Sequence, residues 1–183
     1  MATAEALMTI EKYGQRPDPG YPEELVRGRI VPLPMPKPRH GQVCSKVNRI
    51  VGNYVDDHDL GHLLCNDSGV ITERDPDTMR GADIAFYSYA RVPKGPLPPG
   101  YLEVPPEVVF EVRSPDDRRG DLNAKVAEYL DAGVRVVCVL DPGPRTATLH
   151  AAGQPPRVLA AEDELTIPQW LGGFRVPVRR FFE

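Results

Sequence analysis

Residues 107–114 read EVVFEVRS, residues 121–133 DLNAKVAEYLDAG and residues 134–141 VRVVCVLD, and the order of these three stretches decides the fold. The first alternates with a period of two: Val108, Phe110 and Val112 fall on one face and Val109, Glu111 and Arg113 on the other, as in a strand. The second places Leu122, Val126, Tyr129 and Leu130 on one helical stripe and closes on Gly133. The third is apolar almost throughout, as a central strand covered on both faces is. Strand, helix, strand makes a βαβ unit with a right-handed crossover, so an α/β domain is expected.

Upstream, DIAFYSYA (83–90) predicts a strand opened by Asp83, and HLLCN (62–66) and GVITE (69–73) predict two short ones. Between His40 and Asp57 the residues Val43, Val47, Ile50, Val51, Tyr54 and Val55 recur at three- and four-residue steps, predicting an amphipathic helix. ELVRGRIVPL (24–33) turns at Arg27-Gly28 and predicts a hairpin. Downstream, RTATLHAA, RVLAAE and ELTI predict short strands that meander at the sheet edge. The prolines cluster between these elements, and the loop 91–106, too rich in Pro and Gly for regular structure, is expected to border the functional site.

With 183 residues, 41% of them hydrophobic, the chain can bury one core, so a single domain over 1–183 is expected, with residues 1–20 peripheral. No run approaches the roughly 18 apolar residues of a membrane span, and MATAEALMTIEKYG lacks the order of a secretory leader, so a cytoplasmic protein without membrane contact is expected. A net charge of −4 excludes a broadly basic surface, so any contact with nucleic acid has to be local. The widely spaced Cys44, Cys65 and Cys138 form neither a disulfide framework nor a zinc knuckle and are expected to be small buried hydrophobes. No phosphate-binding glycine motif is present, and no organic cofactor is expected.

Glu111 stands in the middle of an apolar strand, where a carboxylate is costly to bury unless a metal ion or a cation faces it. Lys125 lies three residues from Leu122 and four from Tyr129, within the apolar stripe of the following helix, and so points inward. Taken alone it reads as a lysine that snorkels to the helix edge. Beside Glu111 it reads as a functional mismatch with the binary pattern. Asp83 alone reads as a turn aspartate capping its own backbone.

GADIAFYS (81–88), PPEVVFEVRSPDD (105–117) and KVAEYLDAGVRVVCVLDP (125–142), with ELVRGRIV at 24–31 and His40-Gly41 at the first long helix, resemble the Uma-two family of the PD-(D/E)XK restriction-endonuclease-like superfamily. The resemblance implies a restriction-endonuclease-like core, a mixed β-sheet flanked by helices, with extra edge strands at the C-terminus. It implies a site in which Asp83 and Glu111 bind Mg²⁺ or Mn²⁺, with Glu24 as a further acidic member. The superfamily's ExK element reads Glu111-Val112-Arg113 here, so Lys125 is expected to replace the missing lysine and Arg113 to offer charge but no base. Lys125 would position or deprotonate the attacking water, or remain charged and stabilise the transition state. The expected function is metal-dependent cleavage of DNA by a homodimer, with Arg118, Arg119, His40 and Arg39 as candidate contacts to the nucleic acid. The rival expectations are a turnover-deficient nuclease fold that binds nucleic acid or protein, and a small-molecule binding module.

Overall fold

In a computed structural model of the protein, residues 7–114 and 119–183 are described, Arg119 by its backbone alone. The chain runs α1 (Ile10–Gly14), β1 (Glu23–Val26), β2 (Arg29–Pro32), α2 (Pro38–Asp57), β3 (Gly61–Glu73), β4 (Thr78–Ser88), β5 (Val108–Val112), α3 (Arg119–Asp131), β6 (Val136–Asp141), β7 (Thr146–His150), β8 (Arg157–Leu159), β9 (Glu164–Thr166), α4 (Pro168–Leu171), β10 (Arg175–Pro177) and a closing 3₁₀ turn, Val178–Phe181. One mixed sheet follows the order β2-β1-β4-β5-β6-β7-β8, with β3 also paired to β4. The parallel pair is β5 with β6, joined through α3, which is the crossover expected from the three stretches that open the sequence argument. No helix among the described residues is long and apolar enough to cross a membrane.

Each face of the sheet has its own core. On one side Val43, Val47, Val51 and Val55 line α2 at a constant step of four and pack, fully buried, against Ile84, Phe86, Val108, Phe110 and the C-terminal segments. On the other side Val126 and Tyr129 of α3 pack against Ala85, Val109 and Val137. The period of two in β5 thus sorts its residues as the sequence predicts, with Glu111 at the end of the α3 face. A third, smaller cluster seats Ile10 against Leu25 and Met79 beneath the hairpin.

The β1–β2 hairpin turns on Arg27 and Gly28, with φ of 49° and 71°. Two successive left-handed residues make the twist-matched turn that a two-residue hairpin favours. A Cβ on Gly28 would lie 2.7 Å from Leu7 Cβ, so glycine is required there by space as well as by dihedral.

Several expectations are corrected. HLLCN and GVITE are one strand, β3, because the polar Asn66 and Asp67 at their junction do not break it. They adopt left-handed φ values of 67° and 54° and form a bulge between Cys65 and Ser68. Asp83 does not open its strand: β4 begins at Thr78, and Arg80, Gly81 and Ala82 lie within it. ELTI leaves the main sheet and pairs with Arg175–Pro177 as β9 and β10. The loop 91–106 packs Val92 and Leu102 onto the α3-side core and lays Tyr101 over Gly14 and Gly69, away from the site. Of the cysteines only Cys138 is buried; Cys44 is half-buried and Cys65 exposed.

Candidate functional site

The site lies where the sheet splits. Along one edge, β4 pairs with β3 over its whole length. Along its other edge it pairs with β5 at Ile84–Phe86 and with β1 only at Met79. Between these pairings residues 80–83 face no backbone partner on that side, and side chains take over. The Glu24 carboxylate accepts the Gly81 N–H at 3.0 Å, Lys125 Nζ donates to the Gly81 carbonyl at 2.8 Å, and Asp83 Oδ2 accepts the Val112 N–H at 2.7 Å. Buried backbone groups require partners, so the charged residues are fixed by the same need that holds a ladder together.

Behind the split, the bulge of β3 lies opposite Asp83, since Cys65 pairs with Ile84 and Ser68 with Ala82. The bulge delivers Asp67 to the same place, and Gly81 makes room for it: a Cβ there would stand 3.0 Å from Asp67 Cβ. A cavity of about 500 Å³ opens over this split. Leu33 and Met35, from the proline segment after β2, give it one apolar wall.

Lys125 is the hub. Its ammonium donates to Gly81 O and to Glu111 Oε2 at 3.1 Å and forms an ion pair with Glu24 Oε1 at 3.4 Å. Tyr129, one turn further along α3, donates its hydroxyl to Glu111 Oε1 at 2.9 Å. Arg80 bridges Glu24 through Nη1 at 2.8 Å and grips Glu128 through Nε and Nη2 at 2.6 and 2.8 Å, tying β4 to α3. Burial, opposed by Lys125 and reinforced by Asp83, raises the Glu111 carboxyl from its ordinary 4.5 to about 7. Burial and Asp83 also raise the Asp67 carboxyl.

Of the residues named from the sequence, Asp83, Glu111, Lys125, Glu24 and His40 surround the cavity. His40 Nε2 is 3.3 Å from Asp83 Oδ2. Arg113 is turned onto Asp141, Nη1 to Oδ2 at 2.6 Å, and is not part of the cavity wall. Arg39 donates to Gln42 Oε1 at 2.7 Å and to the Phe182 carbonyl at 3.0 Å, which ties α2 to the C-terminus. Arg118 and the Arg119 side chain lie outside the described residues.

Sequence reasoning missed Asp67, Arg80, Glu128 and the polar end of Tyr129. Tyr129 reads as core by its spacing, and only its hydroxyl separates it from a phenylalanine. Asp67 stood in a stretch taken for a break between strands. Cys44 also escaped: its Sγ is 3.5 Å from His40 Nδ1, and burial together with Asp83 keeps its thiol well above the ordinary value.

The donor chemistry fits a hard divalent cation. Five carboxylates, Glu24, Asp67, Asp83, Glu111 and Asp121, line the cavity against two permanent cations, Arg80 and Lys125. That surplus of oxygen donors and negative charge is the kind of lining a hard divalent cation takes.

Comparison with known proteins agrees with this architecture. A crystal structure from Anabaena variabilis ATCC 29413, described as "a putative nuclease belonging to DUF820", superposes with a TM-score of 0.83 at 18% identity, covering 96% of this chain and 97% of that one. At that identity the likeness speaks for the fold. No curated protein matches the chain. The family model Uma2, described as "Putative restriction endonuclease", matches residues 10–179. Nearly the whole chain, including every element that builds the split in the sheet, is thus accounted for by one family, and the protein belongs to Uma2.

Proposed function

We propose that the protein is a metal-dependent endonuclease that hydrolyses phosphodiester bonds in DNA, using Mg²⁺ or Mn²⁺ held by Asp83 and Glu111. The observation that carries this reading is the gathering of Glu24, Asp83, Glu111 and Lys125 at the unpaired stretch of β4, on the wall of an open cavity. A bound cation of this kind polarises a phosphoryl oxygen and lowers the pKa of a bound water. Lys125, hydrogen-bonded to Gly81 O and Glu111 and ion-paired with Glu24, serves as a fixed positive charge near the phosphate rather than as a base. Glu24 and Tyr129 hold Lys125 and Glu111 in register, and Arg80 locks α3 against β4 so that the cavity keeps its shape. Arg113, anchored on Asp141, braces the ends of β5 and β6.

The apolar wall at Leu33 and Met35 suits a sugar or base beside the scissile phosphate, which makes an unpaired or distorted strand the preferred substrate. Two copies acting on one duplex belong to the same proposal. The test is a cleavage assay over single-stranded, duplex and branched DNA with Mg²⁺ and Mn²⁺ at low salt, where weak phosphate contacts are not screened. Metal-dependent cleavage that disappears in Asp83→Asn supports the reading. Binding without cleavage across the whole panel favours instead a nuclease fold that has kept recognition and lost turnover. Sedimentation with and without a duplex tests the pairing of copies.

A further inference from the structure

Two ligating side chains at the site, His40 and Cys44, are not used by the proposed reaction. His40 and Cys44 stand one turn apart on α2, and Asp83 meets them from β4. Cys44 Sγ is 3.5 Å from His40 Nδ1, and His40 Nε2 is 3.3 Å from Asp83 Oδ2. One donor atom from each of the three lies within 4.8 Å of the others.

Imidazole, thiolate and carboxylate form a donor set different in kind from the oxygen-only pair of Asp83 and Glu111. A thiolate selects thiophilic cations, whereas Mg²⁺ takes oxygen. Zinc bound at about 2.0–2.3 Å places its ligands roughly 3.5 Å apart, so closing the three donors onto one ring nitrogen of His40 contracts the triangle by up to about 1.3 Å, through side-chain torsions on α2 and at Asp83. Three protein ligands leave a fourth position open. It faces the cavity, since His40 and Asp83 line that cavity while Cys44 stands behind them.

We propose that His40, Cys44 and Asp83 form a binding site for a thiophilic divalent cation of the zinc class, adjacent to the hard-cation pair and sharing Asp83 with it. On binding, the Cys44 S–H bond breaks, a sulfur–metal bond forms and the proton leaves to solvent, while one ring nitrogen of His40 and an oxygen of Asp83 supply the other two bonds. Because Asp83 is common to both sets, zinc competes with Mg²⁺ or Mn²⁺ for the site. The zinc site shares a residue with the nuclease reading but does not depend on it.

The test uses Co²⁺ as a spectroscopic substitute for zinc on the full, metal-free chain. A cobalt–thiolate charge-transfer band in the near ultraviolet, with intense visible bands of four-coordinate cobalt, is expected and should bleach when Zn²⁺ is added. Cys44→Ser should abolish the charge-transfer band, and His40→Ala should weaken Zn²⁺ binding at least about tenfold. Cys65→Ser should leave the band intact, because Cys65 is an exposed thiol outside the group of His40, Cys44 and Asp83. Cys44→Ala repeats the test if Cys44→Ser fails to fold, with circular dichroism as the check. Absence of the band in the parent protein, or its survival in both Cys44 variants, overturns the proposal. Mn²⁺ titration of the parent separates the two readings: no Mn²⁺ binding by the parent alongside an intact cobalt–thiolate band sinks the nuclease proposal and leaves the zinc site standing.

Discussion

Lys125 meets Glu111 across the junction of α3 and β5, with Nζ 3.1 Å from Oε2 and the carboxylate almost wholly removed from water. Glu111 is therefore both a candidate metal ligand and a structural partner, since Tyr129 holds its other oxygen. Two effects oppose each other when it is removed. Repulsion with Asp83 is relieved, while Lys125 loses one of its partners and the buried Tyr129 hydroxyl loses its acceptor. An unmet buried hydroxyl costs about 1–3 kcal/mol. We expect Glu111→Gln, which keeps an acceptor for Tyr129, to fold with stability within about 1 kcal/mol of the parent, and Glu111→Ala to be less stable by about 1–3 kcal/mol. Both should lose Mn²⁺ binding in calorimetric titration. Retained Mn²⁺ affinity in either variant would remove Glu111 from the ligand set.

The raised Glu111 carboxyl fixes a pH dependence. Its folded value of about 7 stands above the ordinary 4.5, so the folded state holds the proton more tightly than the unfolded chain does. The stability it contributes is complete below about 4.5 and is lost as pH rises through about 7. Lys125 is raised above the usual lysine range, stays charged throughout this window and adds no slope there. Metal-free protein should accordingly lose up to about 3 kcal/mol relative to Glu111→Gln between the two ends of the window. Urea midpoints of both proteins at about pH 5 and about pH 8 measure this. Mn²⁺ affinity should rise over the same interval, because the cation requires the ionised form. Parallel curves for parent and variant would show that Glu111 does not titrate there.

The βαβ unit and the α2 helix were legible in the sequence because their signal is local and periodic: Val108, Phe110 and Val112 alternate, and Val43, Val47, Val51 and Val55 repeat at a helical step. Lys125 was legible as a violation of such a period. The split in the sheet was not. It arises from β5 and β1 sharing one edge of β4 at different heights, a long-range relation that no window of sequence contains. Asp83 was misplaced for a related reason, since an aspartate after Arg80-Gly81-Ala82 reads locally as a strand opening, whereas Gly81 lies inside the strand and admits Asp67 from the opposing bulge. Arg80 and Glu128 are ordinary surface residues by pattern, and only the fold brings them together.

Gly81 therefore offers a test of the bulge. A methyl group there meets Asp67 Cβ at 3.0 Å and the Asp67 carbonyl at 3.2 Å, and backbone cannot yield as a flexible side-chain end does. Gly81→Ala should lower stability by about 1–3 kcal/mol and reduce Mn²⁺ affinity, since Gly81 also anchors Glu24 and Lys125 through its backbone. Thermal melts and Mn²⁺ titration provide the readouts. A fully stable variant with unchanged affinity would mean that the bulge shifts freely and does not hold the site.

The last expectation separates the two basic residues that could stand in for the absent ExK lysine. Lys125 lies on the cavity with its ammonium between Glu111 and Glu24, while Arg113 lies outside the cavity wall on Asp141. If the positive charge at the phosphate comes from Lys125, then Lys125→Met should reduce metal-dependent cleavage by about a hundred- to a thousand-fold, the usual effect of losing one preorganised charge donor. Lys125→Arg should recover only part of it, because a planar guanidinium cannot meet Gly81 O, Glu111 and Glu24 from one nitrogen. Arg113→Ala should change cleavage less than about tenfold and act mainly on stability, through the loss of a half-buried ion pair between the ends of β5 and β6. Single-turnover rates with saturating Mn²⁺, taken beside urea midpoints for each variant, resolve chemistry from folding. A larger loss of rate in Arg113→Ala than in Lys125→Met, at equal stability, would hand the catalytic charge to Arg113 and show that the ExK position had kept its function with a changed residue.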